Sequence, residues 1–124
     1  MSKISPLHMT DPPLTKIRIR ADYGNFAWDQ EGAGISLRTE FKDIPEIEKI
    51  ENAFEKWGKD LPDKDEDPCF DWEDFHKRGM DLTHRLNAAI PKDIDIDITY
   101  ARPFEDPKGK QRNPDISLRQ RKKP

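Results

Sequence analysis

Three histidines, one cysteine and two aspartate-rich runs are the residues of this chain with a side-chain chemistry to offer. His8, His76 and His84 include no pair at the i, i+4 spacing that sets two imidazoles on one metal ion, so the sequence argues against a metal site. His76 borders an apolar stripe and His84 lies among charges; packing and solvation are their expected roles. Cys69 sits among acids, which disfavour the thiolate, and a half-buried structural cysteine is expected rather than a nucleophile. Asp63-Lys64-Asp65-Glu66-Asp67 alternates carboxylates in the manner of a calcium loop. It lacks the central glycine and the bidentate glutamate such a loop needs, and reads as a solvated or partner-facing acidic stretch. The ladder Asp93, Asp95, Asp97 has a simpler use than acid/base chemistry, which is to face bases on a neighbouring strand. Gly32-Ala33-Gly34 lacks the following helix and the lysine of a phosphate cradle and is expected to be a turn. The reading is a non-enzymatic protein with no catalytic residues, no metal and no cofactor.

The element on which the rest must be built runs from Asp71 to Pro91. Trp72, Phe75, Gly79, Leu82, Leu86 and Ala89 recur at spacings of three and four, one stripe along a helix. Asp71 stands at the N-cap position with Asp74 three residues on, and Pro91 closes the far end. Asp74 and Arg78, like Glu73 with Lys77 and Asp81 with Arg85, place an acid four residues before a base on the solvated face. Gly79 weakens a helix interior, so its place on the apolar stripe predicts a close crossing there. A second helix is expected over about 45 to 57, opened by Pro45, carrying Ile47, Ile50, Ala53, Phe54 and Trp57, and ended by Gly58.

Strands are read from period two. Thr15 to Tyr23 alternates Ile17, Ile19, Ala21 and Tyr23 with Lys16, Arg18, Arg20 and Asp22, and Gly24-Asn25 is the expected hairpin turn before Phe26 and Trp28. Ile35 and Leu37 are expected in a short third strand. Asp93 to Tyr100 is the last, its acids set against the bases of the first, which pairs these two strands. The fold class that follows is α+β, a two-layer sandwich in the order β-β-(β)-α-α-β. Its small antiparallel sheet of three or four strands has one face covered by two helices, and Ile17, Ile19, Phe26, Trp28, Ile94, Ile96 and Ile98 point toward them.

With 124 residues, 33% hydrophobic and 38% charged, the chain suits one small domain with polar extensions. The division expected is an irregular leader over 1–14, a single domain over 15–104 and a basic, disordered tail over 105–124. The alternative for the tail is that Ile116 and Leu118 dock as an added edge strand. One cysteine excludes an internal disulfide, the first residues lack the apolar segment of a signal peptide, and no run approaches the roughly 20 apolar residues of a membrane span. A cytoplasmic protein without a membrane partner is expected. The net charge of −3 is uneven: the tail holds seven bases against three acids, a balance of +4, which leaves −7 on the remainder. Between Lys59 and Asp74 eight acids stand against two bases. Such a body favours basic partners over nucleic acid.

Ala21-Asp22-Tyr23-Gly24, Trp28, Trp57, Pro68, Phe75, Gly79, Leu82, Leu86 and Tyr100 form a layout that resembles a group of small bacterial proteins. It is similar to the immunity proteins of contact-dependent growth inhibition and other polymorphic toxin systems, and the resemblance covers roughly Ile17 to Tyr100. Asn25-Phe26-Ala27 and the long basic tail depart from the pattern. The resemblance implies stoichiometric binding that covers a toxin's active site, with acidic members suited to basic, nuclease-like toxin domains. The partner-binding residues expected on this reading are Asp60, Asp63, Asp65, Glu66, Asp67, Asp71, Glu73 and Asp74, joined by Tyr23 and Trp28. The rival expectation is a small nucleic-acid-associated or regulatory protein working through its basic tail; the third is an enzyme with a site assembled from scattered Asp and His.

Overall fold

Alternation along KIRIRAD becomes strand β1, Lys16–Asp22, with Ile17, Ile19 and Ala21 buried and the charged residues on the other face. A computed structural model describes residues 13–22, 24–61, 70–103 and 115–122. Within these, β1 is followed by β2 (Asn25–Trp28), α1 (Leu37–Glu40), α2 (Ile47–Gly58), α3 (Trp72–Ala89), β3 (Asp97–Tyr100) and β4 (Ile116–Arg119). The sheet has the order β2-β1-β3-β4, and α2 and α3 pack against one face of it, the expected two-layer α+β arrangement.

The sheet is mixed rather than wholly antiparallel. β1 runs antiparallel to β2 and β3 to β4, but β1 and β3 are parallel, with Lys16 opposite Asp97 and Arg18 opposite Thr99. The physical reason is the connection: the helical segment between β2 and β3 forms a crossover long enough to return the chain in the same direction. The parallel register also undoes the expected charge ladder. Only Lys16 meets an aspartate across the strands, while Arg18 forms an ion pair of 2.7 Å with Asp115.

Other expectations are corrected locally. Asp22 pairs with Asn25, so Asn25 already belongs to β2, and Gly24 before it has φ 92, the left-handed conformation a tight turn demands. The third strand shrinks to a single bridge between Gly34 and Trp28. After it Leu37 turns into α1, because the buried carboxylate of Glu51 accepts the backbone N–H groups of Leu37 and Arg38 at 2.8 and 3.3 Å. That supplies from α2 the cap Ser36 does not give. Pro45 lies in a turn ahead of α2, not inside it. β3 starts only at Asp97, Ile94 and Ile96 being packed in the loop before it.

The tail is the largest correction: residues 115–122 are ordered, and β4 docks as the edge strand that was the alternative to disorder. Its register shifts so that Leu118 and Arg119 together oppose Ile98, a bulge that turns both side chains toward the helical layer. Leu118 packs against the core, and Arg119 reaches the end of α3.

The core is aromatic where the helices meet. Phe26 stacks on Phe54 at 5.0 Å and Trp57 on Phe75 at 4.6 Å, and the Trp57 indole N–H donates to the Phe75 carbonyl at 2.9 Å. The close crossing expected at Gly79 is present. A Cβ there would lie 2.5 Å from the Trp57 ring and 2.7 Å from that of Tyr100.

Candidate functional site

Four of the expected acids fall among the described residues, and they converge where α2 ends and α3 begins. Asp60 follows α2 in a turn, its N–H donating to the Trp57 carbonyl at 3.1 Å. Asp71 caps α3 as expected, accepting the Asp74 N–H at 3.0 Å, and Glu73 and Asp74 occupy the first helical turn. Acids in that turn suit the positive end of the helix dipole.

Arg78, one turn further along α3, bridges this cluster. Its Nη1 donates to Asp60 at 2.7 Å and its Nε to Asp74 at 2.9 Å, while the guanidinium lies 6.0 Å over the Phe75 ring. The hydrogen bond to Asp60 is the chief cause holding the guanidinium above its ordinary pKa, followed in opposition by desolvation and then reinforced by Asp74. All three side chains are 41–54% exposed, so each contact is worth at most about 1 kcal/mol. What the bridge fixes is geometry. The two ends of the acidic stretch, Asp60 and Asp74, share one guanidinium.

Asp63, Asp65, Glu66 and Asp67, and also Tyr23, lie outside the described residues. Trp28 is not brought to this corner and does not point toward the helices. It pairs with Arg18 in the outward row of the sheet, donates its indole N–H to the Arg20 carbonyl at 2.9 Å, and carries the Arg20 guanidinium 5.6 Å over its ring. The register shift between Ile19 and Asp22 is the cause, since it leaves Phe26 and Ala27 both buried and Trp28 outside.

The structure supplies different aromatics. Phe70 and Trp72, both half-buried, meet edge to face at 4.8 Å beside Asp71, and Trp72 stacks on His76 at 5.8 Å. The spacing Phe70-Asp71-Trp72-Glu73-Asp74, aromatics alternating with acids at a helix start, was the available signal; reading Trp72 only as core hid it. His76 itself is buried as expected, its Nδ1 sharing a hydrogen bond of 2.8 Å with the Tyr100 hydroxyl. Among the described residues no group of three or more His, Cys, Asp or Glu side chains is placed to hold a metal ion, and no helix is long and apolar enough to cross a membrane.

A cleft of about 910 Å³ lies next to the corner, between the β1–β2 turn and the second half of α2, lined among others by Phe26, Ile35, Arg38, Glu51, Glu55 and Leu61. Arg38 and Glu51 form an ion pair of 3.1 Å in its lining. The described part of the basic tail, by contrast, turns inward. Arg119 donates to carbonyls at the end of α3, the Arg121 N–H to Asp97 at 2.7 Å and the Lys122 N–H to Asp95 at 2.7 Å. Arg119 is thereby drawn away from any nucleic acid that the tail was read as contacting.

No protein-family model, curated protein or solved structure matches the chain. Of the residues on which the expected resemblance to immunity proteins rests, Trp57, Phe75, Gly79, Leu86 and Tyr100 are buried where α2, α3 and β3 meet. They encode packing, and function must be argued from the surface.

Proposed function

We propose that this is a non-enzymatic, cytoplasmic binding protein of the immunity type, which neutralises a basic, nuclease-like toxin domain by stoichiometric binding and needs no cofactor. The observation that carries the reading is the acidic corner, where Asp60 and Asp74, at opposite ends of a stretch with eight acids and one base, meet on Arg78. Folding draws only modest stability from that charge. A partner bringing lysines and arginines would relieve the repulsion among these carboxylates, and would be steered toward them at a rate that falls with salt. Half-buried Phe70 and Trp72 beside the acids supply the aromatic anchors that interface cores favour.

The test is association with the C-terminal domain of the secreted toxin encoded beside this gene, followed by stopped flow at several salt concentrations. The variant neutralises Asp63, Asp65, Glu66, Asp67 and Glu73; Asp71 and Asp74 are kept because they serve the helix cap and the Arg78 bridge. Association at low salt should slow about tenfold or more, with a flatter salt dependence. An unchanged affinity and slope would make the acids a solubilising surface and sink the proposal.

A further inference from the structure

The two edges of the sheet are attached in different ways. β2, at one edge, sends Phe26 and Ala27 into the buried core, where Phe26 stacks on Phe54 at 5.0 Å, and Gly34 bridges to Trp28 on its outer side. β4, at the other edge, sends nothing: among the described residues the buried core holds no side chain from 115–122, and Ile116 is 48% exposed. Apart from the ladder to β3 and half-buried Leu118, the contacts that hold this segment are polar. Asp115 pairs with Arg18 at 2.7 Å, and the Arg119 guanidinium donates to the Asn87 and Ile90 carbonyls at 2.8 Å. Asp97 and Asp95 accept the N–H groups of Arg121 and Lys122, each at 2.7 Å. Water replaces such partners when they part at a surface, which it does not do for apolar residues leaving a core. Tyr100, the β3 residue opposite Ile116, has anchors of its own, the Trp57 ring at 6.1 Å and a hydrogen bond of 2.8 Å shared with His76.

We propose that residues 115–122 form a detachable strap, which leaves the sheet as one unit while the rest of the domain stays folded, and so uncovers the outer edge of β3. The contacts that make it one unit follow one another along β3 and the loop before it. Arg119 stands opposite Ile98, the Arg121 N–H is bonded to Asp97 and the Lys122 N–H to Asp95. Releasing Arg119 from the end of α3 therefore loosens the bonds on either side of it. Opening takes the β4 ladder away from Ile98, Thr99 and Tyr100. The backbone groups left unpaired there form a row that another extended segment can match. The open form is a strand-accepting state built into the fold, and β2, tied into the core at the opposite edge, has no counterpart to it.

The experiment is amide hydrogen exchange of the full-length, ¹⁵N-labelled protein, read residue by residue. The protected amides of β4, with those of Arg121 and Lys122, should share one opening constant, about tenfold or more above that of amides in β1 and α2. That constant should barely respond to low denaturant, because opening exposes little surface. Two variants separate opening of the strap from unfolding of the whole domain. Ile50→Val, in α2 one turn before Phe54 and therefore on the β2 side of the molecule, should speed exchange of the core amides several-fold and leave the strap amides unchanged. Arg119→Lys should raise the strap and core opening constants several-fold by the same factor, since unfolding of the whole includes loss of the strap. A strap that answers Ile50→Val as strongly as the core does opens only with the whole domain, and the proposal fails. It fails equally if the strap amides show scattered opening constants, which is fraying residue by residue, or if Arg119→Lys leaves those of Arg121 and Lys122 unchanged.

Discussion

The last carbonyls of α3 have no helical N–H left to receive, and at this end one side chain serves the carbonyl of Asn87 and those of residues just beyond the helix. Arg119 donates Nε to the Asn87 side chain and its two terminal nitrogens to the carbonyls of Asn87, Ile90, Pro91 and Ile94, at 2.8 to 3.3 Å. A cation at the negative end of a helix, with its fork filled, stabilises through both the dipole and charge-assisted bonds. Arg119→Ala should therefore cost about 2–3 kcal/mol and Arg119→Lys, which keeps the charge but loses the fork, roughly half that; thermal melts should rank them in that order. Equal losses would assign the effect to charge alone. Gly79 makes the opposite kind of demand. Gly79→Ala gains about 1 kcal/mol of helix propensity but forces a methyl group against two aromatic rings, an overpacking worth up to about 3 kcal/mol, so a net loss of about 2 is expected in denaturant unfolding. Gly79 was legible in the sequence because a glycine on an apolar stripe weakens the helix and buries nothing unless a neighbour comes close. Arg119 was not, because its direction depends on a bulge that places it beside Leu118, and nothing in Ile-Ser-Leu-Arg announces a bulge.

Among the elements, α2 and α3 were legible because a stripe of large apolar residues at helical spacing has one stable use. The strands were legible as segments but not in their direction. Alternation in β1 and β3 fixes which side chains face the helices, and it is the same for parallel and antiparallel neighbours. Opposite charge on the two strands was the only cue to pairing, and it identified the right neighbours in a register where Arg18 meets Asp115 instead of Asp95. A double-mutant cycle separates the two: Arg18 and Asp115, at 37% and 26% side-chain exposure, should couple by about 0.2–1 kcal/mol, whereas Arg18 and Asp95 should be additive. Coupling to Asp95 alone would contradict the parallel register. β4 was legible only as the alternative to a disordered tail because it offers only two apolar residues among charges, and Ile116 is still 48% exposed. Its hold comes from the ladder to β3, Leu118 and Arg119 together. Deleting 115–124 should lower the melting temperature by more than about 10 °C, since each kcal/mol is worth about 4–8 °C in a domain of this size. A shift of only a few degrees would mean that β4 is dispensable.

For the molecule as a whole, the question is whether its acidic corner is a strain that folding tolerates. Arg78 does not make it pH-sensitive near neutrality. A guanidinium raised by Asp60 contributes stability that is complete below its unfolded pKa and is lost only as pH climbs through the folded value, in the strongly alkaline range. Salt is the better lever, because contacts and repulsions respond to it differently. The Arg78 bridges to Asp60 and Asp74, at 2.7 and 2.9 Å, are far shorter than any relevant screening length. Repulsion among carboxylates that are not in contact acts over longer distances, and shrinking the Debye length from about 30 Å at 0.01 M salt to about 10 Å at 0.1 M should weaken it selectively. Sodium chloride over that interval should therefore raise the melting temperature by a few degrees, against the fall expected of a protein held by exposed ion pairs. The protein with Asp63, Asp65, Glu66 and Asp67 made neutral should melt higher at low salt and respond less to it. If the two proteins instead follow parallel curves, the carboxylates do not repel one another appreciably in the free protein, and relief of that repulsion cannot be what a basic partner gains by binding.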